Sequence, residues 1–274
     1  MTSLSRLFDI EDRAVVITGA SSDLGRGVAR GFGLAGARLI LISRSDLSLF
    51  VKELAADNIV AFSYQSDVMD RDRLLKTAHI VESEHGPPDV LVNMAGGNNP
   101  GATTSLESAF FDLSIEQIQD VVALNLFGGA VIPCQAFGRT MIKNPDGGSI
   151  INVSSMAATR PLTRIVGYSA AKAAVENFTK WLAVTVAKEH CPRVRVNAIA
   201  PGFFLSDQNR YLLFDEHEQP TKRCEAIIEH TPMGRLGVKE DLMGAALFLG
   251  SKASAFVTGT VIPVDGGFGA FSGV

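Results

Sequence analysis

The sequence predicts an α/β fold in which seven parallel strands form one doubly wound sheet flanked by helices. Short apolar runs alternate with longer amphipathic stretches along nearly the whole chain. Continuous apolar runs of this kind are typical of parallel strands that helices cover on both faces of the sheet. The sequence contains no internal repeat, low-complexity tract or linker, so we expect residues 1–274 to form a single domain.

Seven apolar runs are the predicted strands, and four longer stretches are the predicted helices. The strands are expected at residues 14–18, 38–43, 59–63, 89–93, 149–153, 194–199 and 256–264. The helices are expected at residues 25–35, 70–84, 115–141 and 168–189, and Gly128, Gly129 and Pro133 allow a kink in the third. The least regular part, residues 203–231, follows a strand end, so we expect it to form a lid over a site.

Composition and charge argue against several functional classes. The apolar fraction of 46% is too high for a disordered chain, and the formal net charge of −4 argues against nucleic acid as a partner. The three cysteines form no CxxC pair and the five histidines have no metal-ligand spacing, so we expect no disulfide framework and no metal site. The longest uncharged stretch, residues 121–137, contains Asn, Gln, Pro and two Gly and is a poor membrane span. We therefore expect a cytoplasmic protein with no membrane partner.

The turn after the first predicted strand indicates a dinucleotide site. It contains Thr18-Gly19-Ala20-Ser21-Ser22-Asp23-Leu24-Gly25. Glycine lets the backbone approach a pyrophosphate closely, and the following helix offers free N–H groups and a positive dipole end to phosphates. A plain strand-to-helix turn is the alternative interpretation of these residues taken alone.

Further motifs follow in order over nearly the whole chain. They are Asn93-Met94-Ala95-Gly96, Asn125, Ser155, Tyr168 with Lys172 four residues later, Pro201-Gly202 and Asp265-Gly266-Gly267. Together with the glycine turn, they resemble the short-chain dehydrogenase/reductase family, which implies a Rossmann-type fold and a pyridine nucleotide cofactor. Two positions depart from the family pattern: Asp23 replaces a glycine and Met94 replaces an asparagine. We expect Asp23 to point away from the pyrophosphate and to cap the following helix.

The resemblance implies a set of cofactor-binding residues. These are Gly19, Ser21, Ser22, Asp23, Leu24, Gly25, Ser43, Arg44, Asp67, Val68, Asn93, Ala95, Gly96, Tyr168, Lys172, Pro201, Gly202 and Phe204. The second strand ends in Ser43-Arg44-Ser45, without the carboxylate that hydrogen-bonds the 2′-hydroxyl of NAD(H). Arg44 is suited to grip a 2′-phosphate, so NADP(H) is favoured and NAD(H) is the alternative. Asp67 either contacts the adenine, as the resemblance implies, or caps the helix expected near Asp70.

The predicted catalytic residues are Asn125, Ser155, Tyr168 and Lys172. Tyr168 and Lys172 are four residues apart on a predicted helix and so share one face. We expect the Lys172 ammonium to lower the pKa of the Tyr168 phenol, which gives its proton to a carbonyl oxygen in the reducing direction. Ser155 is expected to hydrogen-bond that oxygen, and Ser154 to face the other way because successive strand residues alternate. The resemblance implies that Asn125 holds a water in a proton relay to Lys172.

The substrate site is expected in the segments after the fourth, fifth and sixth predicted strands. Their amides and three arginines, Arg160, Arg164 and Arg210, suit a polyhydroxylated anionic substrate. The predicted substrate residues are Asn98, Ser155, Met156, Arg164, Phe203, Gln208 and Arg210.

Short motifs in these segments are similar to one branch of the family. They are residues 93–98, 161–164, 200–204 and 208–210, with the run 264–268 near the C-terminus. The branch contains D-mannonate oxidoreductases or fructuronate reductases, which interconvert a keto-hexuronate and an aldonate. The alternatives are a gluconate 5-dehydrogenase-like or polyol dehydrogenase, a ketoacyl thioester reductase and a non-catalytic NADP(H)-binding sensor. The resemblance also implies a homotetramer.

Overall fold

Seven parallel strands form one sheet in the part of the chain that this computed structural model describes, residues 4–105, 108–207 and 209–273. They are β1 (Ala14–Thr18), β2 (Arg38–Ser43), β3 (Ala61–Gln65), β4 (Val90–Asn93), β5 (Gly148–Val153), β6 (Val194–Pro201) and β7 (Val261–Val264). Their order in the sheet is β3-β2-β1-β4-β5-β6-β7. The direction of winding reverses where β1 pairs with β4, and a crevice opens at such a point beyond the carboxyl ends of the strands. The predicted α/β fold is confirmed.

Helices cover the sheet on both faces. The α-helices are α1 (Leu4–Leu7), α2 (Asp23–Leu34), α3 (Ser48–Ala56), α4 (Arg71–His85), α5 (Ile115–Val122), α6 (Ile132–Met141), α7 (Val166–Thr185), α8 (Arg210–Leu213), α9 (Lys222–Glu229) and α10 (Met243–Gly250). A π-helical segment, Ala123–Val131, joins α5 to α6, and a second one, Val186–His190, extends α7. The helix predicted at residues 115–141 is therefore continuous.

Strand β1 shows why the apolar runs are unbroken. All five of its residues are buried. Val15 and Ile17 pack in one core cluster with Phe32 of α2, whereas Val16 packs in the other with Phe137 of α6. Because side chains alternate across a sheet that is covered on both faces, positions 14–17 of this strand are all apolar, and only its last residue, Thr18, is polar.

The helical stretch Ile115–Met141 is long and apolar enough to cross a membrane by length and composition alone. Half of its most apolar window, with mean hydropathy 1.6, is buried inside the fold. Its first part packs against α7 and its last part against α4. Core helices pass the same test, so this stretch is weak evidence for a membrane span.

Several predicted boundaries differ from the structure. Strand β3 begins two residues later than predicted, and β7 begins at Val261 rather than at residue 256. Gly259 has φ +76° and so interrupts the extended run before β7. Helices α1, α3 and α10 were not predicted: α10, with the sequence MGAALFLG, is apolar on all sides and lacks an amphipathic period.

Residues 203–231 form more regular structure than predicted. They contain the short helices α8 and α9, and Phe214 pairs with Pro220 between them. Leu213, Cys224 and Ile227 form a small core of their own. Gln208 lies outside the described residues. That this segment acts as a lid stays a prediction.

Phe137 tests the packing of α6 on the sheet. Its side chain is 0% exposed, so Phe137→Ala leaves a cavity and is expected to lower the free energy of unfolding by about 3–5 kcal/mol. Denaturation in urea measures this change. Phe256→Ala, at a fully exposed phenylalanine, is the matched control and is expected to change stability by less than about 0.5 kcal/mol. Equal effects of the two substitutions would contradict the assigned core.

Candidate active site

The turn after β1 lies against the loop after β4. Gly19 has φ +65°, and a Cβ there would lie 2.6 Å from the backbone nitrogen of Ala95, so a side chain is excluded. Ser22 caps α2: its Oγ accepts a hydrogen bond from the Gly25 N–H at 3.1 Å and donates one to the Gly19 carbonyl at 3.0 Å. The turn is therefore closed by its own hydrogen bonds and ends at the N-terminus of a helix.

Asp23 does not cap α2, because Ser22 occupies that position. The Oδ2 atom of Asp23 instead accepts a hydrogen bond from the backbone N–H of Asp207 at 2.6 Å. This contact turns the carboxylate toward the segment after β6. The predicted cap is therefore wrong, and the contact joins the glycine turn to residues 203–231.

A cleft of about 150 Å³ lies at the carboxyl ends of β1 to β4. Eight predicted cofactor residues line it: Gly19, Ser21, Ser22, Ser43, Arg44, Val68, Ala95 and Gly96. It is also lined by Ile42, Ser66, Met94 and Leu124, which were not predicted as cofactor residues. Ser66 directly follows β3, and this place at a strand end is the signal that identifies it. Its buried Oγ has no hydrogen-bond partner among the described residues, which leaves it free to meet a ligand.

The other predicted cofactor residues do not line this cleft. They are Asp23, Leu24, Gly25, Asp67, Asn93, Tyr168, Lys172, Pro201, Gly202 and Phe204. The Oδ1 atom of Asp67 accepts a hydrogen bond from the Met69 N–H at 2.9 Å, and Asp70, not Asp67, caps α4. Asn93 is fully buried in the sheet, where its Nδ2 donates to Asn152 Oδ1 at 2.8 Å.

Arg44 is exposed at the end of β2. No salt bridge in the described part of the chain involves its guanidinium. The next carboxylate along the chain, Asp46, accepts hydrogen bonds from the hydroxyl and backbone N–H of Ser48 at 2.8 and 2.9 Å. These bonds hold the pKa of Asp46 below its usual value. Arg44 therefore lines the cleft as a cation, and the acidic residue nearest to it in sequence, Asp46, is hydrogen-bonded to Ser48.

Ser155, Tyr168 and Lys172 converge where α7 runs beside the end of β5. The Lys172 Nζ lies 5.5 Å from the centroid of the Tyr168 ring and donates a hydrogen bond to the Val153 carbonyl at 2.8 Å. The Tyr168 phenol also lies within reach of the Ser155 side chain, which favours the ionised form of the phenol. The Ser155 Oγ also accepts a hydrogen bond from the Ala157 N–H at 3.1 Å. The structure thus brings together three of the four predicted catalytic side chains.

Burial shifts the pKa of both α7 side chains toward their neutral forms. It raises the pKa of Tyr168, and the interaction with Ser155 opposes this rise only in part. Burial lowers the pKa of Lys172 to about 8. The predicted lowering of the Tyr168 pKa is therefore wrong for the chain alone, because desolvation of the phenol is the largest effect. The Lys172 ammonium lies over the ring and is hydrogen-bonded to the Val153 carbonyl. The phenol is neutral at neutral pH, which is the form that donates a proton.

Asn125 is fully buried in the π-helical segment. Its Nδ2 donates to the carbonyls of Gly97 and Val121 at 2.6 and 2.8 Å, and its Oδ1 accepts from the Gly97 N–H at 3.2 Å. These bonds fix the loop after β4 to the helix. Both amide hydrogens are used in this way, and the predicted contact with a relay water stays a prediction.

The predicted substrate residues lie on three separate segments. Asn98 donates to Thr103 at 2.9 Å, and Met156 is buried just after Ser155. Phe203 lies after β6, with its ring 5.1 Å from that of Phe268.

The three arginines of these segments differ in their surroundings. Arg164 is exposed and has φ +78°, a backbone conformation that bulky residues rarely adopt. Arg210 forms an ion pair with Glu218 and stacks over Phe214. Arg160 donates to the Gly269 carbonyl at 2.9 Å. Of the three, Arg164 has the least engaged side chain.

A second cavity, of about 330 Å³, lies beyond β6 and β7. Its lining residues are Phe203, Phe204, Thr231, Met233, Arg235, Gly237, Asp241, Pro263, Val264, Asp265, Gly266 and Gly267. Two of the predicted site residues, Phe203 and Phe204, are among them, whereas none of the four predicted catalytic residues is.

Comparisons with known proteins agree with this geometry. A family model described as enoyl-(acyl carrier protein) reductase matches residues 19–269. An uncharacterized oxidoreductase of Haemophilus influenzae is 42% identical, over 97% of this chain and 96% of its own length.

Solved structures are similar over the full length. A proposed D-mannonate oxidoreductase from Haemophilus influenzae with bound NAD has a TM-score of 0.91 and 41% identity, and the match covers 99% of this chain and 100% of that one. A gluconate 5-dehydrogenase from Burkholderia cenocepacia, in complex with NADP and tartrate, has a TM-score of 0.85 and 28% identity, with 98% and 100% covered.

The family match begins at the glycine turn and ends beyond β7, so it includes both the cleft and the convergence of side chains on α7. The predicted resemblance is confirmed. The chain belongs to the short-chain dehydrogenase/reductase family of oxidoreductases, which act on alcohol and keto groups.

Proposed function

We propose that this protein uses a pyridine nucleotide to interconvert a keto group and a secondary alcohol on a sugar acid. The observation that carries this proposal is the convergence of Ser155, Tyr168 and Lys172 next to the dinucleotide cleft. Gly96 shows that the cleft and these side chains are adjacent. It lines the cleft, and a Cβ on it would lie 3.5 Å from the Lys172 Nζ.

The residues of the cleft fit a pyridine nucleotide. Gly19 and Gly96 present backbone without side chains, and a Cβ on Gly96 would lie 2.7 Å from Asn125 Oδ1. The start of α2 offers N–H groups to a pyrophosphate, and the Ser66 Oγ, which has no partner within the described ranges, offers a further hydrogen bond. When bound, the nucleotide supplies or accepts the hydride at the substrate carbon.

The side chains on α7 handle the proton. In the reducing direction the neutral Tyr168 phenol donates its proton to the substrate oxygen, and the Ser155 hydroxyl hydrogen-bonds the same oxygen. Lys172, with a pKa of about 8, is mostly an ammonium at neutral pH. Its charge stabilises the phenolate that remains on Tyr168. In the oxidising direction that phenolate takes the proton back.

A keto-hexuronate and aldonate pair, such as fructuronate and mannonate, is the proposed substrate class. The 41% identical structure described as a proposed D-mannonate oxidoreductase supports this choice. The exposed Arg164, on the loop that leads into α7, is proposed to bind the substrate carboxylate. The gluconate 5-dehydrogenase complex with tartrate, a hydroxy acid, favours a 5-keto-aldonate as the second candidate.

A cytoplasmic homotetramer is the proposed physical state. The three cysteines are free and buried, as is usual in a reducing compartment. Several large apolar side chains on and near α5 and α7 are exposed: Phe111, Ile115, Phe127, Trp181 and Val184. Exposed apolar clusters on a folded chain mark contact surfaces, and a second copy of the chain is the proposed partner.

A coupled assay tests the proposed activity. Keto-uronates, keto-aldonates, sugar alcohols and acyl thioesters are screened with NADPH and NADH, and turnover is expected with a sugar acid. Tyr168→Phe removes the proton donor and is expected to lower kcat by at least about 100-fold while cofactor affinity is kept. Tyr211→Phe, at an exposed tyrosine, is the control. Turnover of a thioester alone would overturn the substrate class, and tight cofactor binding without any turnover would favour the sensor.

Arg44 tests the proposed preference for NADP(H). Arg44→Ala removes the cation that faces a 2′-phosphate and is expected to lower kcat/KM with NADPH about 10- to 100-fold, because hydrogen bonds to charged groups contribute about 1.5–3 kcal/mol. The value with NADH is expected to stay nearly constant. Arg139→Ala, at an exposed arginine of α6, is the control. A wild-type preference for NADH, as the NAD-bound structure would suggest, would contradict the proposal.

Light scattering tests the oligomeric state. The expected mass is four times that of the 29.2 kDa chain. Trp181→Glu places a charge on the exposed α7 face and is expected to give smaller species, whereas Leu49→Glu on α3 is expected to leave the mass unchanged. A monomeric wild-type protein would disprove the tetramer without affecting the proposed activity.

A further inference from the structure

Three consecutive residues at the end of β5 each interact with a residue of α7. Their partners on α7 are spaced by four residues and lie on one helix face. The pairs are Val153 with Lys172, Ser154 with Glu176, and Ser155 with Tyr168. The register of the helix against the strand end is therefore defined at three adjacent points.

The middle pair is buried and uses no side chain of the predicted catalytic residues, although the Ser154 Oγ also lies 3.4 Å from the Lys172 carbonyl. Ser154 Oγ donates to Glu176 Oε1 at 2.9 Å, and the two residues are 1% and 8% exposed. Strand β5 ends at Val153, but Ser155 is still extended, with φ −163° and ψ 154°. That Ser154 and Ser155 face opposite ways stays a prediction.

The other two pairs use groups that take part in the proposed reaction. Ser155 and Tyr168 must turn their hydroxyl groups to the substrate oxygen, and the Lys172 charge must respond to the phenolate. The bond between Ser154 and Glu176 involves no reacting atom, so the proposed proton transfer does not require it to break. The backbone N–H of Ser154 is also held by the Ile199 carbonyl of β6 at 2.8 Å, which anchors this pair to the sheet.

We infer that Glu176, acting through Ser154, is a positioning residue that holds α7 and the Val153–Ser155 segment in register while Ser155 and Tyr168 exchange partners. Burying a carboxylate is costly, and an apolar side chain would serve better if this position only filled space. The inference rests on the proposed function, because it concerns the geometry of the same proton transfer.

Steady-state kinetics and binding of NADPH test this role. Glu176→Ala is expected to lower kcat about 10- to 100-fold, the range that small misplacements of catalytic groups produce. The KM and the NADPH dissociation constant are expected to change by less than about threefold. Glu176→Gln keeps an acceptor oxygen for Ser154 and is expected to restore kcat. Glu189→Ala, at an exposed glutamate on the extension of α7, is the control.

Ser154→Ala gives an independent test that leaves the carboxylate in place. It is expected to lower kcat as Glu176→Ala does, and the double variant is expected to lose no more than either single one. An unchanged kcat in Ser154→Ala and Glu176→Ala would overturn the inference. A loss in Glu176→Gln as large as in Glu176→Ala would also overturn it, because the acceptor oxygen would then not be what matters.

A titration without substrate separates this inference from the proposed function. The chain has three tyrosines, so the difference in tyrosinate absorbance between the parent and Tyr168→Phe reports the Tyr168 pKa. In Glu176→Ala the loosened helix admits water, and the pKa of Tyr168 is expected to fall toward that of an exposed phenol. If no substrate is turned over, the proposed function fails. The positioning role is tested separately: it is contradicted if the pKa of Tyr168 is the same in Glu176→Ala as in the parent protein.

Discussion

The contact between α7 and the end of β5 is the constraint on which the active site depends. Strand β5 lies inside the sheet, paired with β4 on one side and β6 on the other, so its end has little freedom. A buried polar connection also runs beneath the site, where Asn152 of β5 donates to Thr179 of α7 at 2.9 Å. Helix and strand are thus joined both at the site and inside the core. The proposed proton transfer requires this, because catalysis is sensitive to misplacements well below the size of a side chain.

The second half of the site is the cleft, which lies where the direction of winding reverses between β1 and β4. Gly19 after β1 contacts the backbone of Ala95 after β4, and the cleft lies along this contact. Asn125 ties the same loop to the neighbouring helix through Gly97. The loop after β4 is therefore fixed from both sides. Gly96 of this loop lies between the cleft and Lys172, where a side chain would be too close to its neighbours.

Sequence patterns predicted the features that depend on local chemistry. Strands β1 and β2 were predicted to the residue because they are buried almost throughout, whereas the edge strand β3 has exposed positions and its boundaries shifted. The spacing of Tyr168 and Lys172 was enough to place both on one face. The direction of the Tyr168 pKa shift was not predictable, because it depends on how deeply the folded chain buries the phenol.

The hydrogen bond between Asp23 and the Asp207 N–H has a thermodynamic consequence. It joins the glycine turn after β1 to the segment that follows β6. A ligand that strengthened or weakened this bond from one side would change the affinity of a ligand on the other side, and the reverse effect would have the same size. The replacement of a family glycine by aspartate thus provides a direct contact through which the two halves of the site would be coupled.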